Sequence, residues 1–445
     1  MADRTPIPAL VLALAAGACS QGVSPGGGSS GPPPSAGSCT STACAFPGAE
    51  GFGTDTRGGR GGRILVVTNL DADGPGSFKE ALLTPEPRII VFRVSGVIDM
   101  KGVGFDLNES HSFVTVAGQT APGGITILDG PMGNYHTNFH DAILRFLRFR
   151  SPGAGHAVEF NEANRFVFDH CDFSGGSDET FDVTFAHDFT LQWSTVTNST
   201  SGSGSQNYGF LISYKPTTDI SLHHNLSANH RGRCGAQFHW AGDGLPDPEG
   251  GARLDIRNNV FHNCAFQQIY RADGAPATGA FFNLVGNYAR TGPDTPADSM
   301  LFGLGGQIYQ SDNVYEGQPY VMSPYYSDPP LSSPNPFPAV TTSSATDACE
   351  QVLDFAGAWP RDAMNSRTVA EVRSGTGQLG KQDDSLLQGG ASPPADADRD
   401  GVADDWERAH GMNPSDPADA SQIDSSGYSK IELYVNELAR SLIGN

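Results

Sequence analysis

The feature that most constrains this chain is a repeat in its middle. Ile143-Leu-Arg-Phe, Phe166-Val-Phe-Asp and Phe189-Thr-Leu-Gln are short alternating segments that start 23 residues apart, and Ile220-Ser-Leu-His, Leu254-Asp-Ile-Arg and Phe281-Phe-Asn-Leu follow at longer intervals. Each has the period of two that a strand requires and runs into turn residues. No convincing amphipathic helix lies between them, so they do not suit a flat sheet of alternating strands and helices. They suit a solenoid in which each coil stacks on the last. Asn225, Asn259, Asn287 and Asn313 fall just after successive strands. That spacing predicts a ladder of stacked amides, although asparagine is also an ordinary turn residue. The uneven intervals predict loops, such as 198–208 and 239–252, that protrude from the coils and are places for binding.

Composition agrees with a turn-rich β protein. The 55 glycines and 31 prolines of the 445 residues have no collagen period and disfavour long helices, while 38% hydrophobic residues suffice for a core. The net charge of -22 argues against a nucleic-acid partner. It also slows the approach of a polyanion at low salt, but net charge governs steering rather than the local chemistry of a site.

The first 18 residues read as an export signal, with Arg4 ahead of a short apolar stretch. Ala16-Gly17-Ala18-Cys19 resembles a lipoprotein cleavage site, so Cys19 is a candidate for lipid attachment, with plain secretion as the alternative. Residues 19–44 form a Gly/Ser/Pro-rich linker. Export permits disulfides. Cys39 with Cys44 and Cys234 with Cys264 are conceivable pairs, and the spacing leaves the connectivity open.

Several segments carry a resemblance. Ala45-Phe-Pro-Gly-Ala-Glu-Gly-Phe-Gly, Arg57-Gly-Gly-Arg-Gly-Gly-Arg, Val116-Ala-Gly-Gln-Thr-Ala-Pro-Gly, Phe168-Asp-His-Cys, His223-His-Asn and Ala370-Glu-Val-Arg-Ser-Gly-Thr-Gly stand in this order. Together they resemble the pectate lyases, most closely the bacterial secreted members, over roughly residues 45–380. The resemblance implies an all-β, right-handed parallel β-helix and a calcium-dependent lyase acting on polygalacturonate. Such a reaction removes the hydrogen at C5, beside the C6 carboxylate, and expels the C4 oxygen. It needs a hard cation to neutralise the carboxylate and a base to take the proton.

Asp178 and Asp182, four apart, match two calcium carboxylates of that family. The third would fall 13 residues before Asp169, where His156 stands. Imidazole is a poor calcium ligand. Glu159, three residues on, is expected on the opposite face. Arg233 matches the catalytic arginine, with Arg231 as a neighbouring charge. A second family arginine is missing, since Ala236 and Phe238 occupy its expected positions, and Lys215 is the nearest candidate for the substrate-binding lysine. Asp169-His170 and His223-His224 read as structural or site-edge residues, because adjacent strand residues face opposite ways and neither pair acts as a unit.

Residues 396–445 form a second, small module after a linker at 381–395. Asp396, Asp398, Asp400, Gly401, Val402 (through its carbonyl), Asp404 and Glu407 match the EF-hand loop pattern at positions 1, 3, 5, 6, 7, 9 and 12. Pro393-Pro394 excludes the entering helix, so the loop looks closer to thrombospondin type 3 or dockerin-like modules. A second copy near Asp424 is degenerate. The expectation is an exported monomer with calcium at both sites. A lyase for another uronate polymer and a non-catalytic polysaccharide-binding solenoid are the alternatives.

Overall fold

The computed structural model describes residues 19, 39 and 43–444, apart from 153–154, 201–205, 214–216, 239–250, 266–268, 272–279, 298–301, 305, 321–328 and 383–389. The export signal, Lys215 and much of the two protruding loops therefore lie outside the described residues.

The six repeat segments are strands of one sheet. His140–Arg145, Asn164–Asp169, His187–Gln192, Ile220–His223, Ala252–Arg257 and Ala280–Val285 lie side by side in chain order, all parallel. Ala142, Phe166, Phe189, Ile220, Leu254 and Phe282 share one register column, and each is buried. The Phe166 and Phe189 rings stack with centroids 4.4 Å apart. At both ends of the series the sequence alignment is one residue off. Ala142, not Ile143, stands beside Phe166, and Phe282, not Phe281, beside Leu254. A slip of one reverses the face. Ile143 misleads because its outward face is also buried, under Ala45, Phe46 and Ala49.

Two further sheets form the other faces of the coils up to Tyr208–Ser213. One runs through Leu147–Arg150, Asp172–Ser174, Thr195–Thr197, Leu226–His230, Val260–Cys264 and Tyr288–Arg290. The other has five parallel strands among the described residues: Phe105–Leu107, Met132–Tyr135, Val158–Asn161, Glu179–Thr184 and Tyr208–Ser213. A separate three-stranded sheet, Ala236–Phe238, Ile269–Arg271 and Phe302–Gly303, belongs to the later coils. The result is a right-handed parallel β-solenoid of about eight turns, with helices towards its C-terminus.

One left-handed residue makes the corner between the first two sheets. Phe146, His170, Trp193, His224, Asn258 and Asp312 have φ between 47° and 57°. Each swings the chain into the next sheet, and the rings of Phe146, His170, Trp193 and His224 stack from coil to coil. Phe146 stacks on His170 at 5.0 Å, and Trp193 on His224 at 4.3 Å. This corrects the alternation argument for the His pairs. His170 and His224 are past the strand ends, so His170 Nδ1 reaches Asp169 Oδ1 at 3.0 Å and His223 Nδ1 lies 3.1 Å from His224 Nδ1. All four residues are buried.

The residue after this corner forms the ladder. Asn225 donates to Asn259 at 3.0 Å, Asn259 to Asn287 at 3.1 Å, and Asn287 to Asn313 at 2.9 Å. Each Nδ2 also donates to a carbonyl of the preceding coil. Buried amides thus meet both donor and acceptor needs.

The chain covers two of its own faces. Residues 45–62 run across the first sheet, so closely that a Cβ on Gly53 would sit 2.8 Å from Val167, and one on Gly59 1.8 Å from the Arg88 carbonyl oxygen. This explains Gly53 and Gly59. The C-terminal module lies on the same sheet, with Ile431, Tyr434 and Val435 of helix Lys430–Leu442 against Ile89, Val91 and Ala117. Helices Ala345–Phe355 and Ala363–Ser374 cover the second sheet through Val352, Leu353, Val369 and Val372 against Leu226, Ala228 and Val260.

Cys39 pairs with Cys44, Cys234 with Cys264 and Cys19 with Cys349, while Cys171 is free and buried. A sulfur shared with Cys349 carries no lipid, so the disulfide and the lipid-attachment reading of Cys19 exclude each other. No helix among the described residues is long and apolar enough to cross a membrane.

Candidate active site

The helices lie on the other two sheets, and the five-stranded sheet carries an open cleft of about 280 Å³ lined by Asp106, Asn134, Tyr135 and Glu159 among others. Tyr135 is 69% exposed there. At the edge of this cleft, two adjacent coils bring acids together. Asp178 precedes strand Glu179–Thr184, which carries Glu179 at its start and Asp182 facing outward between the core residues Phe181 and Val183. Glu159, on the neighbouring strand Val158–Asn161, is the register partner of Asp182. It therefore shares the outward face with Asp182, against the expectation that it lies elsewhere. The count along the strand from His156 fails because His156 stands in the turn before that strand.

His156 does reach the cluster. Its Nδ1 donates to the Glu179 carbonyl oxygen at 3.1 Å and lies 3.7 Å from Glu179 Oε2 and 3.9 Å from Asp182 Oδ2. Arg233 enters from the far side, on a left-handed turn (φ 53°) after strand Leu226–His230. Its guanidinium pairs with Glu179 and stacks 4.1 Å over the Tyr208 ring. Arg231 is exposed two residues earlier, its backbone N–H bound to the Asn207 carbonyl at 3.0 Å. Ala236 and Phe238 lie in a short strand, Ala236–Phe238.

The electrostatics favour a cation. Burial first, then the charges of Glu179, Glu159 and Asp178, push Asp182 well above the usual carboxylate range. Burial also pushes Glu179 up to about 7, with Arg233 opposing and Asp178 adding to the rise. Asp178 Oδ1 and Asp182 Oδ1 are buried without a hydrogen-bond partner. A divalent ion suits these oxygens, and His156, Glu179 and Asp182 offer ligand atoms within 4.8 Å of one another. Glu179 and Glu159 were missed in the sequence. Glu179 was hidden between the two aspartates assigned to the metal, and Glu159 behind the wrong strand count.

The C-terminal carboxylates belong to a different face, over strand Arg88–Phe92. Asp396, Asp398 and Asp400 come together, and Asp400 also meets Glu407 and Asp419. Asp404 departs from the loop pattern: its Oδ1 accepts the Ala397 N–H at 2.7 Å and its Oδ2 accepts Arg408 at 3.1 Å. It caps the loop instead of facing the acids, and Asp419, outside the motif, stands with Asp400 and Glu407. Val402 buries its side chain against Ile89 and Val91, and its N–H donates to Asp400 Oδ1 at 2.8 Å.

No family model matches the chain. A probable pectate lyase C of Aspergillus fumigatus is 33% identical over 422 residues, covering 89% of this chain and 94% of the relative. The chain belongs to the pectate lyase family. A probable pectate lyase C of Aspergillus terreus is likewise 33% identical, over 433 residues, with coverage of 89% and 94%. Among solved structures, the major allergen from cedar pollen aligns at a TM-score of 0.49 and 16% identity, covering 70% of this chain and 93% of that one. A pectate lyase bound to a hexasaccharide aligns at 0.47 and 14%, covering 69% and 96%. Membership of the family makes the chain a polysaccharide lyase, and the cleft with its acids and Arg233 is the place to seek its chemistry.

Proposed function

We propose that this chain is an exported, calcium-dependent lyase that cleaves polygalacturonate by β-elimination, with Arg233 at the C5 hydrogen. The observation that carries this reading is the meeting of Arg233 with Asp178, Glu179 and Asp182 at one end of an open cleft. The name of the 33% identical relatives, probable pectate lyase C, supports the substrate class, and the three disulfides support an oxidising compartment.

Calcium, held by Asp178, Asp182 and Glu159, would neutralise the C6 carboxylate and favour charge build-up beside it. Arg233 removes the C5 proton. The electrons of that C–H bond become the C4–C5 double bond, the C4–O bond breaks with its pair on oxygen, and the leaving oxygen takes a proton. Arginine is normally protonated. The pair with Glu179 holds the guanidinium on Tyr208, so that pair has to open before Arg233 reaches the C5 hydrogen.

The test is formation of unsaturated product, followed by ultraviolet absorbance, from polygalacturonate with calcium. Arg233→Lys keeps a cation but changes its geometry and basicity, and should lower turnover at least 100-fold while the protein stays folded. Near wild-type turnover in this variant removes Arg233 from the role. A second reading, a lyase for another uronate polymer, is favoured by Ala236 and Phe238 where the family has an arginine. A panel of uronate polymers separates the two, and no product from any of them leaves a non-catalytic binding protein.

A further inference from the structure

The C-terminal acids are built as a cation site in their own right. Four side chains present buried oxygens with no hydrogen-bond partner: Asp398 Oδ2, Asp400 Oδ2, Asp419 Oδ1 and both oxygens of Glu407. Glu407 is 0% exposed, Asp400 5% and Asp419 7%. An anionic carboxylate with both oxygens unpaired in the interior is costly unless something positive meets it. The remaining oxygens of Asp398 and Asp400 are aimed by the loop, accepting from Asp400 N–H at 3.4 Å and Val402 N–H at 2.8 Å. Asp396 is held apart from this need, since it accepts from the Arg399 N–H at 2.7 Å and pairs with Arg93 at 3.4 Å. Asp400, Glu407 and Asp419 offer ligand atoms within 4.8 Å of one another, and Asp398 joins them through Asp400; an all-carboxylate set suits a hard cation of calcium size better than the smaller magnesium with its strict octahedron.

The loop is pressed onto the first coils of the solenoid. A Cβ on Gly401 would lie 2.7 Å from Val91 and 3.3 Å from Ile64. Val402 and Ala403 pack with Ile89 and Val91, and Arg93, next to the same strand, reaches Asp396. Arg60 reaches Glu432 at 2.9 Å and Arg145 reaches Asn436 at 2.8 Å, so the helix after the loop is tied to the same face.

We propose that Asp398, Asp400, Glu407 and Asp419 bind a calcium ion that latches the C-terminal segment onto the first coils, separately from the acids of the cleft. Asp419, outside the linear motif, closes the site in place of Asp404. The latch gives the protein a calcium requirement for stability that is independent of turnover. Removal of the ion leaves these carboxylates facing one another, and the segment lifts from Ile89 and Val91.

The test uses the full chain, stripped with a chelator and returned to calcium chloride, followed by thermal melting and by limited proteolysis. Calcium should raise the wild-type midpoint by about 5 °C at a hundredfold excess over its dissociation constant and protect the C-terminal segment from cleavage. Glu407→Gln and Asp419→Asn should lose most of that rise, Asp404→Asn should keep it, and Asp182→Asn, in the cleft, should keep it too. Should the two buried variants not fold, Asp398→Asn, at the rim of the loop, should lower the calcium affinity read by the melting shift at least tenfold. A full rise in Glu407→Gln and Asp419→Asn, a rise lost only in Asp182→Asn, or no rise in the wild-type protein overturns the latch. None of these outcomes touches the lyase reading, which rests on product formation.

Discussion

Glu159 and Asp182 are register partners on adjacent coils, and both face the cleft side of the five-stranded sheet. Two carboxylates stacked at the strand spacing repel each other unless a cation lies between or beside them. This relationship makes Glu159 a fourth acid of the site rather than a bystander.

Glu159→Gln should therefore raise the calcium concentration for half-maximal activity about tenfold, the order expected for loss of a supporting carboxylate, with a smaller change in turnover at saturating calcium. Calcium titration of product formation checks this. An unchanged requirement places Glu159 outside the metal's reach.

His156 stands 3.9 Å from Asp182 Oδ2 and contributes no anionic oxygen. His156→Asp should tighten calcium binding and lower the calcium needed for half-maximal activity. Direct calcium binding in the absence of substrate is the deciding measurement, since substrate carboxylates can mask the effect.

The asparagine ladder predicts position-dependent stability. Asn287→Ala removes bonds to Asn259 and Asn313 and leaves their buried polar groups short of partners. It should destabilise the protein by about 2–4 kcal/mol. Asn313, at the end of the series, makes fewer such bonds, so Asn313→Ala should destabilise less. Denaturant titration of both variants checks the order.

Asp169 carries an acid-limb prediction. Burial works against its charge, but His170 and Arg145, the latter at 2.8 Å, hold its carboxyl well below the usual range. A carboxyl with a lowered native pKa adds stability above its unfolded value of about 4, and this stability fades as pH falls below it. Asp169→Asn should therefore be less stable than wild type at pH 7, with the gap narrowing towards pH 3. A constant gap across that range would show that Asp169 acts through packing alone.

The chain has seven cysteines, and three disulfides leave Cys171 as the free thiol. Native protein should react with no thiol reagent, and denatured, unreduced protein with one equivalent. Two equivalents, with lipid mass on the peptide of Cys19, would show that Cys349 has lost its partner to lipidation.

The sequence by itself determined the solenoid and its ladder. A strand every coil, with asparagine just past the corner, is a local pattern repeated along the chain, and stacking identical coils turns it into a fold with few choices left. Motif order singles out Arg233, Asp178 and Asp182 as candidates, and their roles await tests on variants. Register was less legible: Ile143 is apolar on a face that the rest of the chain covers, Phe281 is apolar on the face away from the core column, and a period of two does not say which face is the core. What only the tertiary structure decided is which charges meet. Glu179 against Arg233 spans 54 residues, and Glu159 beside Asp182 depends on where one turn ends and a strand begins. Asp404 is turned to the Ala397 N–H and to Arg408, while Asp419, outside the linear motif, stands with Asp400 and Glu407. Electrostatics act through space, over distances that sequence separation does not encode.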